Sequence, residues 1–250
     1  MKVAPSPWQQ KIERLQFLSS QQDVTDDVLL FYAKVLQFQS DLQSRLSPGT
    51  ESAAAMALFV PELLELLTQS GTPQMKELAA SSKSLDWRKE LESYWNNRGT
   101  RPYTPLSFVI LTLLQPFARN LAAHAQMNMQ VAPHCPFCSC KPQLGVLRPE
   151  GEGGKRYLLC SLCGTEWEYR RVICPNCEEL DKEKLPVYKS DKVPYIQLAA
   201  CETCHTYLKC IDLGSDGHAI PEVDDVASLS MSLWMVEHGF QPIQLNLFGF

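Results

Sequence analysis

Apolar and polar positions divide the chain into three regimes. Over residues 1–130 the apolar positions recur at helical spacing. Trp8, Ile12, Leu15 and Leu18 mark a first helix. A second carries Val28, Phe31, Tyr32, Val35, Leu42 and Leu46 on one face, with Asp23 or Thr25 as its cap and Pro48-Gly49 as its stop. Pro61 suits the first turn of a third, with Leu63, Leu64, Leu66 and Leu67. Thr72-Pro73 and Thr104-Pro105 each read as a cap followed by proline at the first helical position, and Trp87, Leu91, Tyr94 and Trp95 mark a helix between them. The last helix runs to about Gln126, with Pro116 expected to kink it. These stripes read as a helical-bundle core, and no catalytic constellation stands out among them.

From residue 131 the period changes. "GVL", "RYLL", "EWEYRRVI", "VPYIQLAA" and "TYLKCIDL" read as short strands, with "EGEGG" at 150–154 as a hairpin tip. At Pro221 the helical pattern returns as one helix with acidic residues at its start, in keeping with the helix dipole. Val226, Leu229, Leu233 and Trp234 share its face, and Gly239 stops it. The tail "QPIQLNLFGF" is apolar and short, and reads as docked or disordered, with a partner-binding tail as the sharper alternative.

The strand-rich stretch holds all 10 cysteines. Eight form four C-x-x-C pairs: Cys135/Cys138, Cys160/Cys163, Cys174/Cys177 and Cys201/Cys204. Two thiolates at this spacing can sit on one tight turn, a knuckle, and two knuckles complete a tetrahedral four-thiolate shell. Gaps of 21 and 23 residues inside each half leave room for a hairpin, whereas the gap of 10 between Cys163 and Cys174 is a connector. The halves resemble each other, with "HCPFC" and "ICPNC" opening them and "YLLCSLCGTEW" and "QLAACETCHTYL" closing them at offsets of 39 and 41. An internal duplication is the simple reading. Spacing favours Cys135, Cys138, Cys160 and Cys163 as one site and Cys174, Cys177, Cys201 and Cys204 as the other; a cross-braced pairing stays open.

Disulfides are disfavoured, because "MKVAPSPWQQKIERL" shows no apolar core of an export signal and the cysteine density is below that of a disulfide scaffold. Nothing here signals export to an oxidising compartment. Thioredoxin-type redox chemistry normally uses one C-x-x-C at a helix N-terminus, not four among strands. No apolar run reaches the length of a membrane span, the most apolar stretch, 108–114, being followed by Gln115 and Pro116. With a net charge of −5, and eleven Lys/Arg against eleven Asp/Glu over 134–213, nucleic-acid binding is disfavoured. The reading of the residues thus ends at an acidic chain of α+β class, with a helical domain (1–130), two four-cysteine modules (131–172 and 173–215) and a C-terminal helix and tail (216–250).

Several motifs resemble those of the FdhE family, the formate dehydrogenase accessory proteins. "RYLLCSLCGTEWEYRRVICPNCEE" at 156–179 carries that family's C-x-x-C-x-T-E-W run, and "CETCHTYLK" at 201–209 its C-x-x-C-x-x-Y-L-K. "DDVASL" at 224–229 and "LLQPFARNLA" at 113–122 also fit; in "CPFCSCKP" Cys140 stands where a small non-cysteine residue is expected. The resemblance implies two tandem rubredoxin-like or zinc-ribbon-like modules on a helical domain. It also implies a cytoplasmic role in maturing formate dehydrogenase, with the molybdenum- or tungsten-containing catalytic subunit as partner; an enzymatic role is disfavoured because four thiolates per site leave no open coordination position. Two metal ions are expected, iron favoured by the resemblance, with zinc equally suited to a tetrahedron of sulfurs. A rubredoxin-like electron carrier and a zinc-ribbon nucleic-acid binder are the alternatives, and a homodimer stays open.

Around the proposed ligands, Gly164 suits a knuckle turn that needs positive φ. Cys140 and Cys210 read as buried small residues, with exchange of Cys140 for Cys138 the minor alternative. His134 and His205 read as neighbours of the knuckles rather than ligands, and Trp167 as packed against the first site. Glu166, Arg170 and Arg171 lie on a strand-like stretch, and Glu166 and Arg170 are the candidates for a partner contact.

Overall fold

The computed structural model describes residues 6–20, 26–46, 52–128, 131–150 and 154–250. It divides into two compact units, essentially 1–125 and 126–248. The first contains α1 (Pro7–Ser19), α2 (Asp26–Arg45), a 3-10 turn over Ala53–Phe59, α3 (Val60–Ser70), α4 (Pro73–Ser81), α5 (Trp87–Asn96) and α6 (Pro105–His124). Thr72 caps α4 by accepting from the Met75 amide at 3.3 Å, and the Thr104 amide donates to Ser107 Oγ at 2.9 Å at the start of α6. The caps expected at Asp23 or Thr25, and the Pro48-Gly49 stop, lie outside the described residues. In α2 the inward stripe is Leu29, Tyr32, Val35, Leu36 and Leu42, while Val28 is 38% exposed. Phe31, Tyr32, Val35 and Leu42 of the expected face are buried, and Leu29 rather than Val28 opens the stripe.

α6 is the centre of this unit. Val109, Leu113, Leu114, Phe117 and Ala118 are fully buried. Long and apolar enough to cross a membrane by length and composition, the helix contradicts the expectation that no run qualifies, yet 67% of the relevant window is buried as protein core. It continues through Pro116. Proline has no amide to give to the carbonyl four residues back, here that of Thr112. Buried Gln39 of α2 replaces it, its Nε2 donating to Thr112 O at 3.1 Å and to Gln115 Oε1 at 3.0 Å.

The second unit is built on one sheet. Its strands are β1 (Pro142–Arg148), β2 (Lys155–Cys160), β3 (Glu166–Glu168), β4 (Val187–Lys189), β5 (Ile196–Cys201), β6 (Thr206–Asp212) and β7 (Gln241–Pro242), with α7 (Pro221–Ala227) and α8 (Leu229–Glu237) before the last. The order is β3-β2-β1-β6-β5-β4, with β7 beside β6. Each half contributes three antiparallel strands. The halves join where β1 runs parallel to β6. There Gly145 faces Cys210, and a Cβ on Gly145 would lie 2.5 Å from Cys210 Sγ. Glycine lets the two strands close around the buried thiol. The tip of the β1–β2 hairpin, 151–153, lies outside the described residues.

Two expected elements are shorter than the pattern suggested. "EWEYRRVI" is a strand only over Glu166–Glu168. Beyond it, the buried Arg156 guanidinium donates to the carbonyls of Arg170 and, at 2.8 Å, Ile173, which turns the chain toward the third knuckle. The C-terminal helix is two helices broken at Ser228. The break resets the helical phase, so Met231 and Met235 face inward and Leu233 and Trp234 are 47% and 39% exposed.

A buried ion pair fastens these helices to the sheet. Lys209 Nζ on β6 lies 2.7 Å from Asp225 Oδ1, with both side chains almost wholly enclosed. Lys209 also donates to Asp225 O at 2.9 Å and Ser228 Oγ at 3.2 Å. Asp225 Oδ2 accepts from Gln143 at 2.9 Å and from Asn246 at 3.1 Å, which docks the tail. Neighbouring Asp224 accepts from Tyr195 Oη at 2.8 Å and from the Ile220 amide at 2.7 Å. Replacing Lys209 by Met leaves Asp225 charged and enclosed without its cation, and should cost about 3–5 kcal/mol. Urea unfolding of the metal-loaded protein measures it; a loss within the error of the extrapolation would refute the assigned role.

Candidate metal centre

The sheet brings the eight paired cysteines into two groups. Cys135, Cys138, Cys160 and Cys163 form one, Cys174, Cys177, Cys201 and Cys204 the other, and the sulfurs of each lie within 4.8 Å of one another. The grouping is sequential, not cross-braced. In the first, Sγ–Sγ distances are 3.5 Å for Cys135–Cys163, 3.3 Å for Cys138–Cys160 and 3.6 Å for Cys138–Cys163. In the second, Cys174–Cys204 is 3.7 Å and Cys177–Cys201 3.6 Å. A tetrahedron with metal–sulfur bonds of ~2.3 Å has edges of about 3.8 Å. Each group can therefore hold a metal ion.

All four knuckles use the same backbone device. The residue after the second cysteine takes positive φ: Ser139 at 61°, Gly164 at 66°, Glu178 at 61° and His205 at 52°. Three of these are not glycine, so each bears the strain of a left-handed L-residue, about 1–2 kcal/mol. The turn closes when the Ser139 and Glu178 amides donate to the carbonyls of Cys135 and Cys174, both at 2.9 Å. It also aims amides at sulfur, with Leu162 N 3.4 Å from Cys160 Sγ and Asn176 N 3.4 Å from Cys174 Sγ. His134 and His205 are exposed and belong to neither group. Trp167, 1% exposed, donates from Nε1 to Ala132 O at 2.7 Å and so anchors the segment leading into the first knuckle.

Thr165 and Thr206, which the sequence analysis did not single out, stand in equivalent places. Their hydroxyls lie 3.1 Å from Cys163 Sγ and Cys204 Sγ. The signal was a threonine repeated two residues after the closing cysteine in both halves. Cys210 is buried opposite Gly145, away from both groups. Cys140 is buried with its thiol in hydrogen-bonding reach of Cys138 and Cys160, closer to the first group than its reading as a small core residue implied. Glu166 accepts from Arg148 Nη2 at 2.8 Å in a half-exposed ion pair, and Arg170 is exposed just beyond β3.

Four thiols this close share charge unequally. In the first group, hydrogen bonds from Cys138, Cys160 and Cys163 hold Cys135 well below the usual thiol range. Cys138 and Cys163 are pushed up chiefly by the bonds they give to Cys135, and Cys160 by burial. In the second, burial raises Cys174 and Cys177. Burial also acts upward on Cys204, but hydrogen bonds from Thr206, Asn176 and Cys177 outweigh it and bring the thiol down to about 6. The groups also differ in access: all four cysteines of the first are buried, whereas Cys177 is exposed and Cys204 half-buried.

The family models described as "FdhE, central domain" and "FdhE, C-terminal domain" match residues 134–171 and 172–248, and the junction falls between the two cysteine groups. A "Protein FdhE homolog" of Aquifex aeolicus is 28% identical over 96% of this chain and 94% of its own length. That of Haemophilus influenzae strain PittGG is 27% identical over 97% and 88%. The crystal structure of the FdhE protein from Pseudomonas aeruginosa superposes with a TM-score of 0.74 over 98% of this chain and 97% of that one, at 23% identity, and shows the same fold.

Metal should leave the second group first. Acid should speed the loss from both, because the raised thiols regain protons when the cation departs and affinity falls with pH. Hydrogen exchange during titration with a chelator checks this: 172–212 should loosen before 134–171, while the amides of α1–α6 stay protected. Simultaneous loss from both groups, or unchanged exchange after stripping, would refute it.

Proposed function

We propose that the chain, a member of the FdhE family, is a cytoplasmic accessory factor for the assembly and maturation of formate dehydrogenase, binding the enzyme's catalytic subunit. The observation that carries this reading is the match of two FdhE domain models to the residues that build the two cysteine groups. We assign Cys135, Cys138, Cys160 and Cys163 as ligands of one metal ion and Cys174, Cys177, Cys201 and Cys204 as ligands of a second. Iron is favoured by the family and zinc accommodated by the geometry. Four protein thiolates fill a tetrahedral shell and leave no open position for substrate, which supports a binding role over an enzymatic one. The division into a helical domain of 1–130, modules of 131–172 and 173–215 and a C-terminal segment of 216–250 is part of the same proposal. Glu166 and Arg170 are assigned to the partner contact; the exposure of Arg170 beside the first module supports that choice.

A second reading, one-electron transfer, draws on the exposure of Cys177 and Cys204. An iron ion held by four thiolates can cycle one electron, and an exposed ligand shortens the path to a partner. Reversible one-electron reduction of the iron-loaded protein supports it, and a protein that takes up only zinc removes it.

Affinity capture from an anaerobic lysate of the source organism tests the first reading. The wild-type chain should recover the catalytic subunit of formate dehydrogenase, Arg170→Ala should recover less, and Cys160→Ala/Cys163→Ala none. Capture of nucleic acid, with no formate dehydrogenase, would overturn the proposal.

A further inference from the structure

Arg156 stands out among the charged groups that the metal-site description leaves without a role. It lies on β2 in the first module and is only 4% exposed. A buried cation is costly unless it is paired. The bonds of its Nη2 go to two carbonyls, those of Arg170 and Ile173, and its ring contact is with Tyr169, whose centroid is 5.5 Å from Cζ. Among the described residues no carboxylate pairs with it, and its Nε–H is buried without a hydrogen-bond partner. Carbonyl dipoles lessen the cost of this charge but do not neutralise it.

What lies beside Arg156 supplies the missing negative charge. Arg156 and Arg171 line a cavity of about 200 Å³ whose wall includes Cys174 and Cys201 of the second cysteine group, together with apolar side chains such as Val187 and Ile243. Ile173, one of the two carbonyl partners, immediately precedes Cys174. Four thiolates around a divalent ion leave two net negative charges. Between apolar walls such charges are screened weakly, so a fixed cation nearby acts strongly on them. Burial, with the charge of Arg171, lowers the affinity of the guanidinium for its proton, and Cys210, Tyr169 and Cys174 act in the opposite direction. The first group has no equivalent: among the described residues no buried arginine is bonded to its knuckles.

We propose that Arg156 is the internal counter-charge of the second metal centre, a positioning residue lent by the first module that offsets the negative charge of Cys174, Cys177, Cys201 and Cys204 once they hold a cation. It does not ligate. It turns the chain into the third knuckle through the Ile173 carbonyl and supplies the positive field across the cavity, with Arg171 adding to that field from the mouth. One module thus sets the metal affinity of the other. This inference rests on the reading of the second group as a metal centre.

Titration of the metal-free full chain with Co²⁺ against a competing chelator, followed by the thiolate-to-cobalt absorption bands, tests both layers. Wild type should show two uptake steps, and Cys177→Ser identifies the second-centre step by removing it. Arg156→Gln should weaken that step by about 10–100-fold, the range found when residues supporting metal ligands are lost, and leave the first-centre step unchanged. Arg156→Lys, which keeps the charge but loses the forked bonds, should recover most of the affinity. Equal weakening by Gln and Lys would reduce Arg156 to a carbonyl tether and overturn the proposal, as would a second-centre step that Gln leaves unaltered. Should Arg156→Gln fail to fold, Arg171→Gln at the exposed mouth decides: a weaker second-centre step supports the counter-charge, and no change overturns it. Absence of thiolate bands in the wild type would instead overturn the metal reading itself.

Discussion

Sulfur crowding is the constraint on which the second unit depends. Two sets of four thiols are held at 3.3–3.7 Å along the bonded edges. Without a cation, ionisation of one thiol opposes that of its neighbours, as the split behaviour of Cys135 against Cys138, Cys160 and Cys163 shows. A metal ion in each group turns this repulsion into attraction and ties its two knuckles together. The strained turns at Ser139, Glu178 and His205 make sense only in that setting, since strain of this kind persists where surrounding contacts over-determine it.

The two halves are repeats, but the fold does not treat them as separate beads. The first strand of one repeat lies parallel to the last strand of the other, and the small side of Gly145 accepts the thiol of Cys210 at that seam. The C-terminal helices then cover β6 through Lys209 and Asp225, while Gln143 from β1 and Asn246 from the tail reach the same carboxylate. A single carboxylate thus gathers both repeats, the helices and the tail.

Much of this was legible in the sequence, and the remainder was hidden for physical reasons. The spacing of the C-x-x-C pairs favoured the sequential grouping, because the two long gaps leave room for a hairpin and the short one reads as a connector. Periodicity marked α1, α2, α3 and α5, each of which buries one stripe, whereas α4 and α6 were marked by their Thr-Pro starts, because α6 is buried on all sides over 107–118 and α4 buries only Ala79. Periodicity could not announce the break at Ser228, where "DDVASLSMSLW" stays apolar enough for one helix and where Lys209 bonds the Asp225 carbonyl and the Ser228 hydroxyl. Nor could it announce the Lys209–Asp225 pair, whose members read separately as a strand residue and a dipole-favouring acid. Gly164 advertised its left-handed turn; Ser139, Glu178 and His205 did not, because their residue types seldom adopt it. Arg156 passed as an ordinary strand position, because burial of a charge has no periodic signature.

The substitution of Gln39 for the missing amide of Pro116 has a bearing on how this chain can change over generations. A proline in a core helix leaves a carbonyl bare at a cost in stability. Here a side chain from another helix satisfies that carbonyl, so neither position is free to vary alone: an apolar residue at 39 exposes the flaw at 116, and an amide-bearing residue at 116 competes with Gln39 for the same oxygen. Natural variation in the helical unit should therefore show the two positions inherited as a couple, a lineage marker written into the core rather than onto the metal-binding surface.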